Sequence, residues 1–65
     1  MNDYEEMVAK YGLIEEAQVG VNGVGETVVV SIDEECVCVT TLQKNGWARI
    51  NVYHKDGTCE ETYQR

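Results

Sequence analysis

The sequence predicts an α+β domain: one N-terminal helix packed on an antiparallel β-meander of four strands, or five if residues 13–25 supply an edge strand. Three observations carry this. From Thr27 to Gln64 the chain is a series of β-branched or alternating runs separated by short polar segments. Asn45-Gly46 and Asp56-Gly57 supply the positive-φ chemistry of tight hairpin turns, which ties consecutive runs antiparallel. Ahead of them, Tyr4, Met7, Val8 and Tyr11 recur at helical spacing.

The helix is expected over residues 3–11, with an end near Gln18 as the alternative because Ile14 and Ala17 could extend its stripe. Asn2 or Asp3 can cap it, Glu5 and Glu6 in its first turn suit the positive end of the helix dipole, and Gly12 followed by Leu13 is a glycine stop with its apolar contact. Residues 13–25 are ambiguous: Ala17, Val19 and Val21 alternate as in an edge strand, while repeated glycines favour a loop. Strands are expected at about 27–32, 37–43, 47–55 and 58–64, with Asp33-Glu34-Glu35 as a polar turn. Pairing Val30 with Val39, Val39 with Val52 and Ile50 with Tyr63 would collect Val28, Val30, Ile32, Val37, Val39, Ala48, Ile50, Val52 and Tyr63 on one face under the helix. Leu42, Trp47, Arg49 and Tyr53 would then share the opposite, uncovered face, and these residue types are enriched at binding hot spots.

A chain of 65 residues forms a single small domain with little room for a deep cleft. No apolar run reaches the length of a membrane span and no signal-peptide pattern opens the chain, so a cytoplasmic protein is expected. The three cysteines do not close a disulfide framework and read as free thiols. The net charge of −7 is uneven, −8 over residues 1–36 and +1 over residues 37–65. Direct nucleic-acid binding is disfavoured by that balance, and a basic protein is the natural complement. Glu5, Glu6, Glu15, Glu16, Asp33, Glu34 and Glu35 are the expected acidic footprint.

Other constellations reduce to ordinary readings. Cys36-x-Cys38 with His54 and Cys59 offers soft metal ligands, but one intervening residue is too few for a zinc knuckle, and in the expected register the first two cysteines point away from the other pair. Cys59, expected directly across the hairpin from His54, lacks a third orienting group and a dry pocket. Adjacent glutamates on helix ends and turns are ordinarily solvated rather than tuned for acid–base work. Gly20-x-x-Gly23-x-Gly25 lacks the lysine and the following helix of a phosphate loop. No catalytic group, metal or cofactor is expected.

In length, acidity and lack of catalytic residues, the chain is similar to the small proteins with which phages and mobile elements inhibit host defence nucleases, anti-CRISPR proteins among them. The resemblance is one of general character. It implies a non-enzymatic inhibitor that occludes a nucleic-acid-binding surface on a larger protein. A structural homodimer through a Trp47/Tyr53 sheet face is the alternative expectation.

Overall fold

Asn2 opens the helix by accepting the Glu5 N–H on its side-chain oxygen at 2.9 Å, which satisfies one of the free donors at a helix start. In the computed structural model, which describes residues 2–65, helix α1 spans Asp3–Tyr11. It ends at Gly12, whose N–H returns to the Val8 carbonyl at 2.8 Å. Strands follow at Ile14–Val21 (β1), Thr27–Ile32 (β2), Cys36–Leu42 (β3), Ala48–His54 (β4) and Cys59–Gln64 (β5). They form one antiparallel sheet in the order β1-β2-β3-β4-β5. The segment that its glycines leave open between strand and loop is thus the fifth strand, irregular between Ile14 and Gln18 where its register on β2 shifts. No helix among the described residues is long and apolar enough to cross a membrane.

The hairpin loops decide which side chains meet. At the Asn45-Gly46 turn, Gln43 N–H bonds the Trp47 carbonyl at 2.9 Å and Gly46 N–H bonds the Gln43 carbonyl at 3.1 Å. The loop therefore has three residues, with Gly46 third at φ +91°, the build in which a type I turn is followed by a residue of positive φ. His54 to Thr58 repeats it, with bonds of 2.8 and 3.0 Å and Gly57 at φ +96°. In both loops the Asn or Asp side chain accepts the N–H two residues on, Asn45 from Trp47 at 3.0 Å and Asp56 from Thr58 at 2.9 Å.

Each three-residue loop moves its hairpin by one residue from the register a two-residue turn would set. The β2–β3 pairing is as expected, with Val30 opposite Val39 and Ile32 opposite Val37. On β4, however, Val39 faces Asn51 rather than Val52, and Cys38 takes Val52. On β5, Arg49 faces Tyr63 and Ile50 faces Thr62. A slip of one residue turns every side chain to the other face. Two successive slips leave β5 the right way up and invert β4 alone.

Consequently the helix side of the sheet carries Arg49, Asn51 and Tyr53, while Ala48, Ile50 and Val52 look away from it. The core is small. Tyr4, Ile32 and Val37 are buried together, with Met7, Val8, Ile14, Val30, Val39 and Tyr53 packed around them. Ile32 and Val37 are wholly inaccessible, and such burial stabilises by roughly 1.5–3 kcal/mol per side chain. The short helix covers one end of one face, and no described residue covers the other.

Candidate protein-binding surfaces

Two bonds pin the helix N-terminus to one end of the sheet, and a third ties the two turns there to each other. Tyr4 donates its hydroxyl to the Asp33 carbonyl at 2.8 Å, Asn2 Nδ2 donates to the Lys55 carbonyl at 3.2 Å, and Lys55 N–H donates to the Glu35 carbonyl at 3.0 Å. The β2–β3 turn, the β4–β5 turn and the first helical turn are thereby held side by side. Ile14 pairs with Ile32, which brings the start of β1 to the same place. Leu13 and Glu15 border a shallow depression of about 340 Å³ with Ile32, Asp33, Glu34 and Glu35.

This end gathers Glu5, Glu6, Glu15, Asp33, Glu34 and Glu35, all exposed, with exposed Glu16 in the irregular part of β1. Among the described residues none of them forms an ion pair; the salt bridge found there is His54 to Glu60 at 2.9 Å. Asp33 is held by its own turn, accepting the Glu35 and Cys36 N–H groups at 2.8 Å each. Those donors, Cys36 first, keep its carboxyl below the ordinary aspartate range. The same end raises the Tyr4 hydroxyl, first through burial and then through the charges of Asp33 and Glu34.

The aromatic group divides. Leu42 lies on the uncovered face at the far end of the sheet. Trp47 sits in the neighbouring turn, where the Arg65 guanidinium lies 5.5 Å from its ring centroid and the two border a cleft with Leu42, Ala48 and Gln64. Tyr53 instead packs in the cluster beneath the helix. Arg49 is also on the helix side, between Thr41 and Tyr63, with its Nε buried and unpartnered. One face holding Leu42, Trp47, Arg49 and Tyr53 together does not exist, and a symmetric dimer through a Trp47/Tyr53 face does not follow from this geometry.

The cysteines are re-sorted by the same slips. Cys59 lies opposite Tyr53, not His54, and it is Cys36 that pairs with His54. His54 Nε2 meets Glu60 Oε2 at 2.9 Å. Burial, followed by the Asp33 charge and that of Cys38, raises the Cys36 thiol above its ordinary range, which is the opposite of what an attacking thiolate requires. Among the described residues no group of three or more His, Cys, Asp or Glu side chains is placed to hold a metal ion.

The sequence points to an uncovered face opposite the helix, but what sequence reasoning missed is that Ile50 and Val52, rather than Arg49 and Tyr53, lie on it. Its centre is Val29, Cys38, Thr40, Ile50 and Val52, all half-buried, and it continues to Val19 and Val21, each 71% exposed. Strands β2, β3 and β4 contain one permanently charged side chain, Arg49, and it points the other way. The available signal was the charge-free run from Thr27 to Ile32 and from Cys36 to Leu42, in which both faces of each strand are uncharged.

Compared with family models, with curated proteins and with solved structures, the chain matches none.

Proposed function

We propose that this protein is a small, non-enzymatic binding module whose acidic end engages a larger basic, nucleic-acid-handling protein and occludes its nucleic-acid-binding surface, as a phage or mobile-element inhibitor of the anti-CRISPR kind would. The observation that carries this reading is the gathering of unpaired carboxylates Glu15, Asp33, Glu34 and Glu35 around Leu13, beside Glu5 and Glu6 of the pinned helix. Carboxylates left without internal cations are free to meet external ones, and a field of one sign raises the encounter rate with a partner of the other. Leu13, half exposed within the cluster, supplies an apolar contact that can be desolvated at its centre. Together these features match the charge, though not the geometry, of a phosphate backbone.

The test is capture from a host lysate on the immobilised protein at low and high salt, with a Glu34→Lys/Glu35→Lys variant beside it. A basic protein that is retained at low salt, released by salt, displaced by a DNA oligonucleotide and ignored by the variant supports the reading. Retention indifferent to both salt and charge reversal would sink it.

A further inference from the structure

We propose that the uncharged face of the sheet is the interface of a homodimer in which two copies stack sheet on sheet, leaving the two acidic ends outside. No described part of the chain covers this face: α1 lies on the other side, and each connection between strands is a short hairpin loop. In a chain of net charge −7, the β2, β3 and β4 residues of this face include no permanently charged side chain, and ionic groups stand at its margins, Glu60 engaged by His54 at one corner and Arg65 beside Trp47 at another.

Charge decides the occupant. A basic partner gains nothing from Val29, Cys38, Thr40, Ile50 and Val52 and is better met by the acidic end. A second copy, which carries the same net charge of −7, can approach over the uncharged residues of β2, β3 and β4 without bringing like charges together. Size is sufficient as well. Five strands spaced ~4.8 Å and about six residues rising ~3.3 Å each give a plan area of roughly 480 Å² per copy. The pair therefore removes about 1,000 Å² from water, the lower bound for a specific interface. Stacked sheets pack about 10 Å apart through side chains of this size, Val, Ile, Leu and Thr among them. Trp47 stands at the rim of this face, beside Leu42 and Ala48, where a twofold contact would cover it.

The cysteines provide an internal control, since Cys38 lies on the proposed interface and Cys59 on the opposite side of the sheet. The experiment follows the mass of the native chain by sedimentation equilibrium from micromolar to millimolar concentration at low and high salt, and maps iodoacetamide labelling of Cys38 and Cys59 over the same range. The expected result is a rise from 7.3 kDa to twice that mass, favoured by salt because it screens two like-charged copies. Cys38 labelling should slow several-fold as the dimer forms while Cys59 labelling does not change. Thr40→Lys, which sets a charge at the centre of each face without touching the core, should remain monomeric with an unchanged circular dichroism spectrum.

A mass of one copy throughout, or a dimer in which Cys38 labels as fast as in dilute solution, would overturn the proposal. So would protection of Cys38 only in the presence of a captured partner, which would assign the face to that partner. The sign of the salt effect separates this dimer from the acidic-end reading, because salt strengthens one association and weakens the other.

Discussion

The Tyr4 hydroxyl lies 2.8 Å from the Asp33 carbonyl, and through this bond a residue of the first helical turn holds the turn between β2 and β3. Tyr4 is 7% exposed, and its ring packs with Ile32 and Val37 in the centre of the core. One side chain therefore supplies both apolar burial and the tie between helix and acidic end.

Tyr4→Phe separates the two roles. The ring is kept, but the Asp33 carbonyl loses its side-chain donor, and a hydrogen bond of this kind is worth about 4–8 °C of Tm in a domain of this size. Tyr4→Ala removes the ring as well and is expected to leave no folded population at 25 °C, because nothing else in the helix is fully buried. Thermal unfolding followed by circular dichroism checks both, and a Tyr4→Phe variant as stable as the parent would show that the bond contributes nothing.

Stability should fall at both ends of the pH scale, for different reasons. The Asp33 and Asp56 carboxyls are lowered on folding, Asp33 by the Cys36 and Glu35 N–H groups and Asp56 by the Thr58 hydroxyl and N–H. The folded state then binds fewer protons than the unfolded one, so their contribution is present above the ordinary aspartate pKa of about 4 and is lost as pH falls through the folded value. Tyr4 is raised, first by burial, so its contribution is complete below about pH 10 and is lost above it. Urea midpoints measured against pH should show an acid limb that flattens in Asp33→Asn/Asp56→Asn, whose amide oxygens can still accept the turn N–H groups. The alkaline limb should weaken in Tyr4→Phe.

Gly46 lies at φ +91° with nothing within 4 Å of the position a Cβ would take. Any penalty for alanine there is conformational rather than steric. Gly46→Ala should destabilise by about 1–2 kcal/mol, whereas D-alanine at the same position, in a chemically synthesised chain, should stabilise by roughly 0.4–1 kcal/mol by restricting the unfolded state. Gly23, which also has open space around it but no positive φ, should accept L-alanine with a gain of similar size. Melting temperatures of the three chains decide the matter; an indifferent Gly46→Ala would mean that this loop is not a three-residue turn.

That loop also marks where the fold was legible and where it was not. The helix is written in its stripe, its Asn2 cap and Gly12, and the meander in its β-branched runs, because these signals depend on neighbours in sequence. The β2–β3 register was legible too, since Ile32 and Val37 satisfy both the turn and the core. Asn-Gly and Asp-Gly, however, suit a two-residue loop and also the last two positions of a three-residue loop, and the choice inverts β4. Ile50 and Val52 made the shorter loop attractive because it buries them. The longer loop leaves them on the uncovered face and sends Tyr53 to the helix, where an aromatic ring fills more of the space above Val37. The acidic cluster was recoverable as a list of residues, but its assembly at one end depends on Tyr4, Asn2 and Lys55 bonding across the fold, and such contacts leave no local trace.

Unpaired carboxylates gathered at one end should also make the isolated protein respond to salt. Glu15, Asp33, Glu34 and Glu35 lie around one depression with no cation bonded to any of them among the described residues, so folding draws like charges together. At about 0.15 M salt the screening length is only ~8 Å, and repulsion across the cluster is reduced accordingly. In dilute solution, where association is negligible, Tm should rise by a few degrees as salt increases from low to physiological strength. Glu34→Gln/Glu35→Gln should have the higher Tm at low salt and a shallower salt dependence, since it removes part of the repulsion that salt otherwise screens. The same variant should bind a basic partner more weakly, so residues that favour capture are residues that oppose folding. A parent chain whose Tm falls with salt would mean that its carboxylates are paired in solution, and would remove the physical basis for an acidic end held open for a partner.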